Sequence, residues 1–297
     1  MDPVIRQNKE RYKQPKAELK FSEMTEFQKE LSINPYARAL SQKVRYDCII
    51  GTRLPMHFLV NFGLEFHQQP EDAKNTKKKA VVAAGGKKYS PALVPVPKAH
   101  QAGQQAHALA LRHVIGSLDE KMSKKRGRWT SLLNQTLVDK AGVRERVSIV
   151  WNDGASEAHL HFMRDEAVKS LRWSFQRGAG ARLVQRLEDG IDGSEEPQAK
   201  ASKEPACVML LSGTGGLDVP TLDHHCAIPH VVIKGKELPV YDLRRLLGEE
   251  CLKTLTERSN FADAEVVTLS KSHLTAASHV NLLKLYQYMA ESPVEYA

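Results

Sequence analysis

An alternation of strand-like and helix-like patterns, which begins near residue 145, constrains the fold of this chain more than any other feature. Short runs of β-branched and apolar residues predict strands, and segments whose apolar residues recur every three or four positions predict helices. The predicted strands are 147–151, 159–162, 207–211, a hairpin over 231–240, and 265–269. The predicted helices are 165–176, 242–255 with Asp242 as its N-cap, and 275–289. The alternation favours an α/β or α+β class, with a mixed sheet flanked by helices.

The first half of the chain has weaker patterns that polar stretches interrupt. Short helices are predicted over 23–31, with Ser22 as N-cap, and from Pro35 onward, with Asn34 as N-cap. A strand over 89–96 follows, which its two prolines limit to a sheet edge or an extended segment, and then a helix over 100–122. The predicted organisation is a disordered basic tail at 1–20, an anchor or recognition segment at 21–68, a basic linker at 69–88, and an α/β core at 89–297 with an acidic linker at 190–204.

Residues 34–62 combine apolar side chains, four cations and two prolines in one short segment. The candidate docking anchors are Tyr36, Leu40, Phe58 and Leu59. The candidate contact cations are Arg38, Lys43, Arg45 and Arg53. Helical spacing places Tyr36, Leu40 and Val44 on one face, with the cations on or near the others. We therefore interpret the segment as a recognition element, whose apolar residues dock onto the core or a partner and whose cations contact a polyanion or an acidic partner.

The positive charge of the chain is concentrated in its first half. Residues 1–150 contain 27 Lys and Arg against 14 Asp and Glu, whereas the remaining residues contain 16 against 21. Such an asymmetry is expected when one part of a protein contacts nucleic acid or a ribonucleoprotein. Basic loops that only increase solubility are the alternative explanation.

A second basic stretch, at 121–128, precedes a tryptophan. Cations beside an aromatic ring are the combination with which proteins bind single-stranded or structured RNA, because the cations follow the phosphates and the ring stacks on a base. The candidate contact residues are Lys124, Lys125, Arg126, Arg128 and Trp129. A solvated basic loop is the alternative here too.

Several motifs resemble catalytic or metal sites but lack the groups that the chemistry requires. The Gly-rich turn at 212–216 follows a strand, but it lacks the lysine of a phosphate-binding loop, and Asp218 would repel phosphates. The cluster at 223–226 contains two histidines and a cysteine without a second ligand pair at zinc-site spacing. No Gly-x-Ser-x-Gly elbow is present. The sequence therefore predicts no catalytic residue, metal site or cofactor, and an enzyme that uses the Gly-rich turn is the weaker alternative.

The chain has no apolar run close to the roughly 20 residues that a membrane-spanning helix needs. Its four cysteines are far apart and include no Cys-x-x-Cys pair, which predicts a reducing compartment. Residues 1–20 lack the apolar region of a secretory leader. In the same stretch Asp2 and Glu10 interrupt the basic residues that a mitochondrial transit peptide would need.

The anchor segment resembles one in fungal mitochondrial proteins required for respiratory growth and for maintenance of the mitochondrial genome. The matching positions are Tyr36, Arg38, Leu40, Val44, Arg45 and the pair Phe58-Leu59, and a looser similarity covers 235–240. The two stretches are less than a fifth of the chain, and the resemblance carries no catalytic residues. It implies a mitochondrial matrix protein that supports genome maintenance or expression, and the acidic interruptions near the N-terminus depart from that expectation.

These observations together predict a non-enzymatic mitochondrial protein that contacts nucleic acid or a ribonucleoprotein and does not span a membrane. A lineage-specific subunit of the mitochondrial ribosome, whose basic extensions become ordered only on ribosomal RNA, is the closest alternative.

Overall fold

We describe a computed structural model of the chain. The structure describes residues 19–68, 81–82, 88–95, 106–123, 126–133, 149–181, 183–187, 204–212, 228–233, 235–257 and 259–290. The predicted tail and both predicted linkers lie almost entirely outside these residues.

The described residues form an α+β structure of helices and two main sheets, which confirms the predicted fold class. The α-helices are α1 (Glu26–Ile33), α2 (Pro35–Leu40), α3 (Arg112–Gly116), α4 (Ala155–Ala181), α5 (Leu243–Leu247), α6 (Glu249–Thr256) and α7 (Ala276–Met289). The 3-10 helices are Phe21–Glu23, Met56–Phe58, Ser117–Asp119 and Arg128–Leu132.

The strands are distributed over two five-stranded sheets and two small ribbons. They are β1 (Val44–Tyr46), β2 (Arg53–Pro55), β3 (Leu59–Gln68), β4 (Val81–Val82), β5 (Lys88–Pro95), β6 (Ala106–Leu109), β7 (Lys121–Ser123), β8 (Arg126–Gly127), β9 (Val150–Trp151), β10 (Val184–Arg186), β11 (Pro205–Leu210), β12 (His230–Ile233), β13 (Lys236–Asp242) and β14 (Val266–Ser270). Strands β1 and β2 form one ribbon, and β7 and β8 form the other.

The first main sheet is built around β3, which pairs antiparallel with β5 on one side and with β6 on the other. The second side of β5 pairs with β4 at one end and with β9, in parallel, further along. Pro91 lies opposite Phe66 of β3, and on the second side of β5 it lies between these two partners, where no described strand is paired with it. This arrangement explains how a strand with an internal proline lies inside a sheet, where an edge position was predicted.

The second main sheet has the order β10-β14-β11-β13-β12 and contains both strand orientations. Its central strands β11 and β13 run parallel, whereas the other neighbours are antiparallel. Successive residues of β11 point to opposite faces, so that Cys207 and Met209 join the main core while Val208 and Leu210 join a smaller apolar cluster. Burial of both faces explains why this strand is continuously apolar in sequence.

The long helix α4 joins the two sheets into one continuous core. It packs against α6 and α7 and contacts β5 of the first sheet and β10 of the second. Its fully buried residues recur at helical spacing, as Ala155, Leu160, Ala167, Leu171 and Phe175 show. This spacing also explains why the strand predicted at 159–162 is wrong, because those residues form the first turns of α4.

Two predicted helices are divided in the structure. The one predicted over 100–122 is wrong at both ends of its described part, since Ala106–Leu109 form β6, where His107 pairs with Asn61 of β3, and Lys121 and Met122 belong to β7. Residues 100–105 lie outside the described residues, and α3 covers only Arg112–Gly116. The one predicted over 242–255 begins at Asp242, whose side chain accepts a hydrogen bond from the Arg245 N–H, as expected. It is interrupted at Gly248, which has a φ of 81° and so separates α5 from α6.

Within the described part of the chain, no helix is both long enough and apolar enough to cross a membrane.

Candidate interaction surface

Large apolar side chains are exposed mainly in one short part of the described chain. Eight of the ten such residues lie between positions 19 and 50, and the other two are Val232 and Leu274. The eight are Leu19, Phe27, Leu31, Tyr36, Leu40, Val44, Tyr46 and Ile50. Single exposed apolar residues are normal on a monomer, whereas a concentration of them marks an interaction site. We call residues 19–55 the N-terminal surface.

Local sequence signals fix the two helices of the N-terminal surface. Helix α1 begins with a capping box, in which Thr25 and Gln28 satisfy each other's backbone N–H groups, so the predicted N-cap Ser22 is wrong and lies in the preceding 3-10 helix. Helix α2 begins as predicted, with the Asn34 side chain accepting hydrogen bonds from two N–H groups and Pro35 in the first turn. Helix α2 packs against α7 and buries Pro35 and Ala39. The helix ends at Leu40, so the predicted common face with Val44 does not form.

A two-stranded ribbon, β1–β2, completes the N-terminal surface. Its turn is held by Asp47, whose buried carboxylate accepts hydrogen bonds from the N–H groups of Ile49 (2.7 Å) and Ile50 (3.0 Å). The N–H of Cys48 donates to the carbonyl of His107 in β6 over 2.8 Å. The ribbon is therefore fixed to the first main sheet at its turn, while all of β1 and Arg53 of β2 stay exposed and Leu54 and Pro55 are half-buried.

The four predicted cations of this segment lie on the N-terminal surface, and none of them has an acidic partner among the described residues. Lys43, Arg45 and Arg53 are exposed and Arg38 is half-buried. Within the described residues, none of the four is in an ion pair, although eight other cation–carboxylate pairs are present there. Burial and the charge of Arg45 lower the pKa of His107, against the opposing effect of Asp47. The surface thus has a local excess of positive charge.

The four predicted docking anchors have different environments. Leu40 is 63% exposed and Tyr36 is 44% exposed, so both are accessible to a partner. Phe58 is half-buried, and Leu59, at 1% exposed, belongs to the interior of the first sheet. Leu59 therefore stabilises the protein's own core and is not available to a partner.

The second predicted basic group is only partly described. Lys124 and Lys125 lie outside the described residues, and Arg126 belongs to β8. Arg128 lies 3.6 Å from the carboxylate of Glu120. Trp129 stacks on Trp151, with ring centroids 5.9 Å apart and planes 10° apart, and is half-buried against the core. The tryptophan is thus engaged with the protein's own core, which leaves less of its ring for a nucleic-acid base than the sequence suggests.

A groove of about 620 Å³ lies between the N-terminal surface and the second main sheet. One wall comes from residues of α1 and α2, including Phe27, Leu31 and Tyr36, and the other from β13 and the start of β11. At its rim Glu204 accepts a hydrogen bond from Lys236 (2.8 Å) and lies 3.9 Å from Lys271. The bond from Lys236 lowers the pKa of Glu204.

Buried polar side chains lie beside this groove. His279 lines the groove, and its ring stands edge-on to that of Tyr241. Burial lowers the pKa of His279 to about 4 and raises the pKa values of Tyr241 and Cys207. All three groups are therefore uncharged at neutral pH, and a neutral buried thiol such as Cys207 is not an activated nucleophile.

Sequence reasoning missed Tyr46, and it named no groove residue outside α2 as a site residue, although 236–239 lie in the stretch 235–240 of the resemblance. Tyr46 could have been found, because it directly follows Arg45 in the segment already identified. The groove could not have been found from the sequence, because its walls come from parts of the chain that are far apart in sequence and meet only in the fold. Nothing in a single sequence shows that Leu31 and Leu238 line the same groove.

Among the residues that the structure describes, no three His, Cys, Asp or Glu side chains are placed to hold a metal ion together. The predicted Gly-rich turn and the His/Cys cluster at 223–226 lie almost wholly outside those residues. Comparisons of the chain with models of protein families, with curated proteins and with solved structures find no match.

Proposed function

We propose that this protein is a non-enzymatic factor of the mitochondrial matrix that supports maintenance and expression of the mitochondrial genome. It does so by binding nucleic acid, free or within a ribonucleoprotein, through the N-terminal surface. One observation carries the proposal: within the described part of the chain, exposed apolar side chains and four cations with no described carboxylate within 4 Å lie in the same 37-residue segment, 19–55.

The combination of the two kinds of side chain favours a polyanion that also has apolar faces. Most other cations described in the structure have a carboxylate within 4 Å, whereas no described carboxylate lies that close to Arg38, Lys43, Arg45 or Arg53. A phosphate backbone supplies the missing anions, and binding to it releases condensed counterions. Nucleic-acid bases and sugars supply apolar area for Tyr36, Leu40 and Tyr46.

The mitochondrial part of the proposal is supported by the resemblance of the anchor segment to fungal proteins required for respiratory growth. The positions of that resemblance include Tyr36, Leu40, Val44 and Arg45, which the structure places on the exposed N-terminal surface. The excess of basic residues in the first half of the chain is consistent with the same function.

Salt-dependent binding of a labelled RNA or DNA tests the proposal. The test variant changes Arg38, Lys43, Arg45 and Arg53 to Gln, and the matched control changes the exposed Lys169, Arg244, Arg245 and Lys253 to Gln. We expect the test variant to bind at least about tenfold more weakly than wild type. For a single strand, the slope of the logarithm of the binding constant against the logarithm of the salt concentration should become shallower by about three. The control removes the same charge and should keep wild-type affinity. Binding without salt dependence, or an equal loss in the control, would contradict the proposal.

The location and the ribosome alternative need a separate experiment. Sedimentation of mitochondrial lysates separates an accessory factor, which is found mainly in lighter fractions, from a ribosomal subunit, which migrates stoichiometrically with ribosomal particles. Absence of the protein from purified mitochondria would overturn the matrix location.

A further inference from the structure

The β1–β2 ribbon places an aromatic ring beside a cation on one exposed face. Tyr46 and Arg53 are paired across the ribbon, as are Val44 and Pro55. Because side chains alternate along a strand, these four side chains share one face, whereas Arg45 lies on the other. Cross-strand neighbours have β-carbons about 5 Å apart. The face therefore has an aromatic residue and a guanidinium within reach of one nucleotide.

The ribbon is well fixed even though it is exposed. Its strands are joined through a turn stabilised by Asp47, and the Met56 N–H donates to the Lys43 carbonyl over 2.9 Å at its open end. Gly51 adopts a φ of 81° in the turn, and a β-carbon there would lie 3.5 Å from the Tyr46 hydroxyl. The Tyr46 side chain thus lies along the ribbon towards the turn, with 55% of its surface exposed.

The exposed apolar area distinguishes between duplex and single-stranded ligands. A duplex has its bases stacked inside and presents mainly phosphates and sugars, so it would cover cations but gain little from Val44 and Tyr46. An unpaired base has a free π-face that stacks on an aromatic side chain, while the neighbouring phosphate reaches a cation. A face that carries both kinds of group therefore matches a single strand better.

We propose that the β1–β2 ribbon binds single-stranded nucleic acid, with Tyr46 stacked on an unpaired base and Arg53 paired with an adjacent phosphate. This inference rests on the proposed function, and it adds the strandedness of the ligand and the two residues that select it.

Fluorescence anisotropy with the full chain tests the inference. The probes are a labelled 12-nucleotide oligouridine RNA, a 12-nucleotide oligothymidine DNA and a 12-base-pair duplex. We expect at least one single strand to bind at least about tenfold more tightly than the duplex. Tyr46→Ala and Tyr46→Leu, which both remove the π-face, should weaken single-strand binding by roughly ten- to a hundredfold. Tyr46→Phe keeps the ring and should stay within about twofold of wild type.

The outcomes separate this inference from the function on which it rests. If the duplex binds as tightly as the single strands, or if Tyr46→Leu binds like wild type, the ribbon inference is overturned. In either case salt-dependent binding that is lost in the four-residue Gln variant would leave the proposed function standing. If no probe binds with salt dependence, both the ribbon inference and the proposed function are overturned. Circular dichroism of Tyr46→Leu checks that the loss of affinity is not a loss of fold.

Discussion

The rings of Tyr241 and His279 stand edge-to-face, with centroids 5.6 Å apart, inside the protein beside the groove. Among the described residues, neither the Tyr241 hydroxyl nor the His279 Nε2 has a hydrogen-bond partner. The two side chains are almost completely buried. Buried polar atoms without partners cost free energy, and here the cost is lowest when both groups are uncharged.

Acidification is expected to destabilise the fold through His279. Its pKa is about 4 in the folded protein and 6.5 when exposed, so the unfolded chain takes up a proton at higher pH than the folded one. The folded state, in which His279 is neutral, therefore keeps its full unfolding free energy above about pH 6.5. This free energy falls as the pH decreases from 6.5 to 4. The expected loss is on the order of 2–3 kcal/mol. Urea unfolding at pH 7.5, 6, 5 and 4.5 measures it.

A matched histidine substitution shows whether His279 causes this dependence. His279→Gln should flatten the pH dependence of stability, whereas His161→Gln, on an exposed position of α4, should leave it unchanged. His159 is also buried, and burial lowers its pKa to about 3, so some dependence should remain in His279→Gln. Equal slopes in wild type and His279→Gln would show that His279 is not buried in its neutral form.

The prediction of the fold succeeded where local signals and tertiary packing agree. Asn34, Pro35 and Asp242 begin helices at the predicted positions because their side chains supply what a helix start needs. The prediction failed where pairing between distant segments decides whether a segment forms a strand or a helix. Residues 106–109 are acceptable in a helix, yet they form a strand because β3 offers an unpaired edge next to them.

Two leucines predicted to act as anchors should respond differently to truncation. Leu59 is buried in the first sheet, so Leu59→Ala leaves a cavity and should cost about 2–5 kcal/mol of unfolding free energy. Leu40 is exposed, so Leu40→Ala should change stability by less than about 0.5 kcal/mol. Urea unfolding of both variants measures the difference. A large destabilisation by Leu40→Ala would mean that this side chain is packed within the protein and not free for a partner.

The candidate surface was only partly predictable for a related reason. The segment containing Arg38, Arg45 and Arg53 is recognisable from composition, because charge and apolar character coincide in few residues. Exposure is not recognisable in this way, since it depends on what the rest of the chain covers. Trp129 has the composition of a stacking residue, but its stacking partner is Trp151.

Loss of the Asp47 carboxylate should loosen the ribbon. Asp47→Ala removes the acceptor for the Ile49 and Ile50 N–H groups and should cost about 1–3 kcal/mol, while Asp47→Asn keeps an oxygen at that position and should cost less. Amide hydrogen exchange should become faster at Ile49 and Ile50 in Asp47→Ala, without change in α4. Asp153→Ala, at an exposed turn, is the control. Unchanged exchange at both isoleucine amides would show that Asp47 does not hold the turn.

The stacking of Trp129 on Trp151 should appear as a coupling between the two residues. Trp129→Ala is expected to lower the unfolding free energy by roughly 2 kcal/mol, because a half-buried ring loses its packing. A double-mutant cycle with Trp151→Ala should give about 0.5–1.5 kcal/mol of coupling. Gly127→Ala should also destabilise, since a β-carbon there would lie 2.5 Å from the Trp129 ring. If Trp129→Ala instead weakens RNA binding and leaves stability unchanged, Trp129 contacts nucleic acid and its stacking on Trp151 does not stabilise the fold.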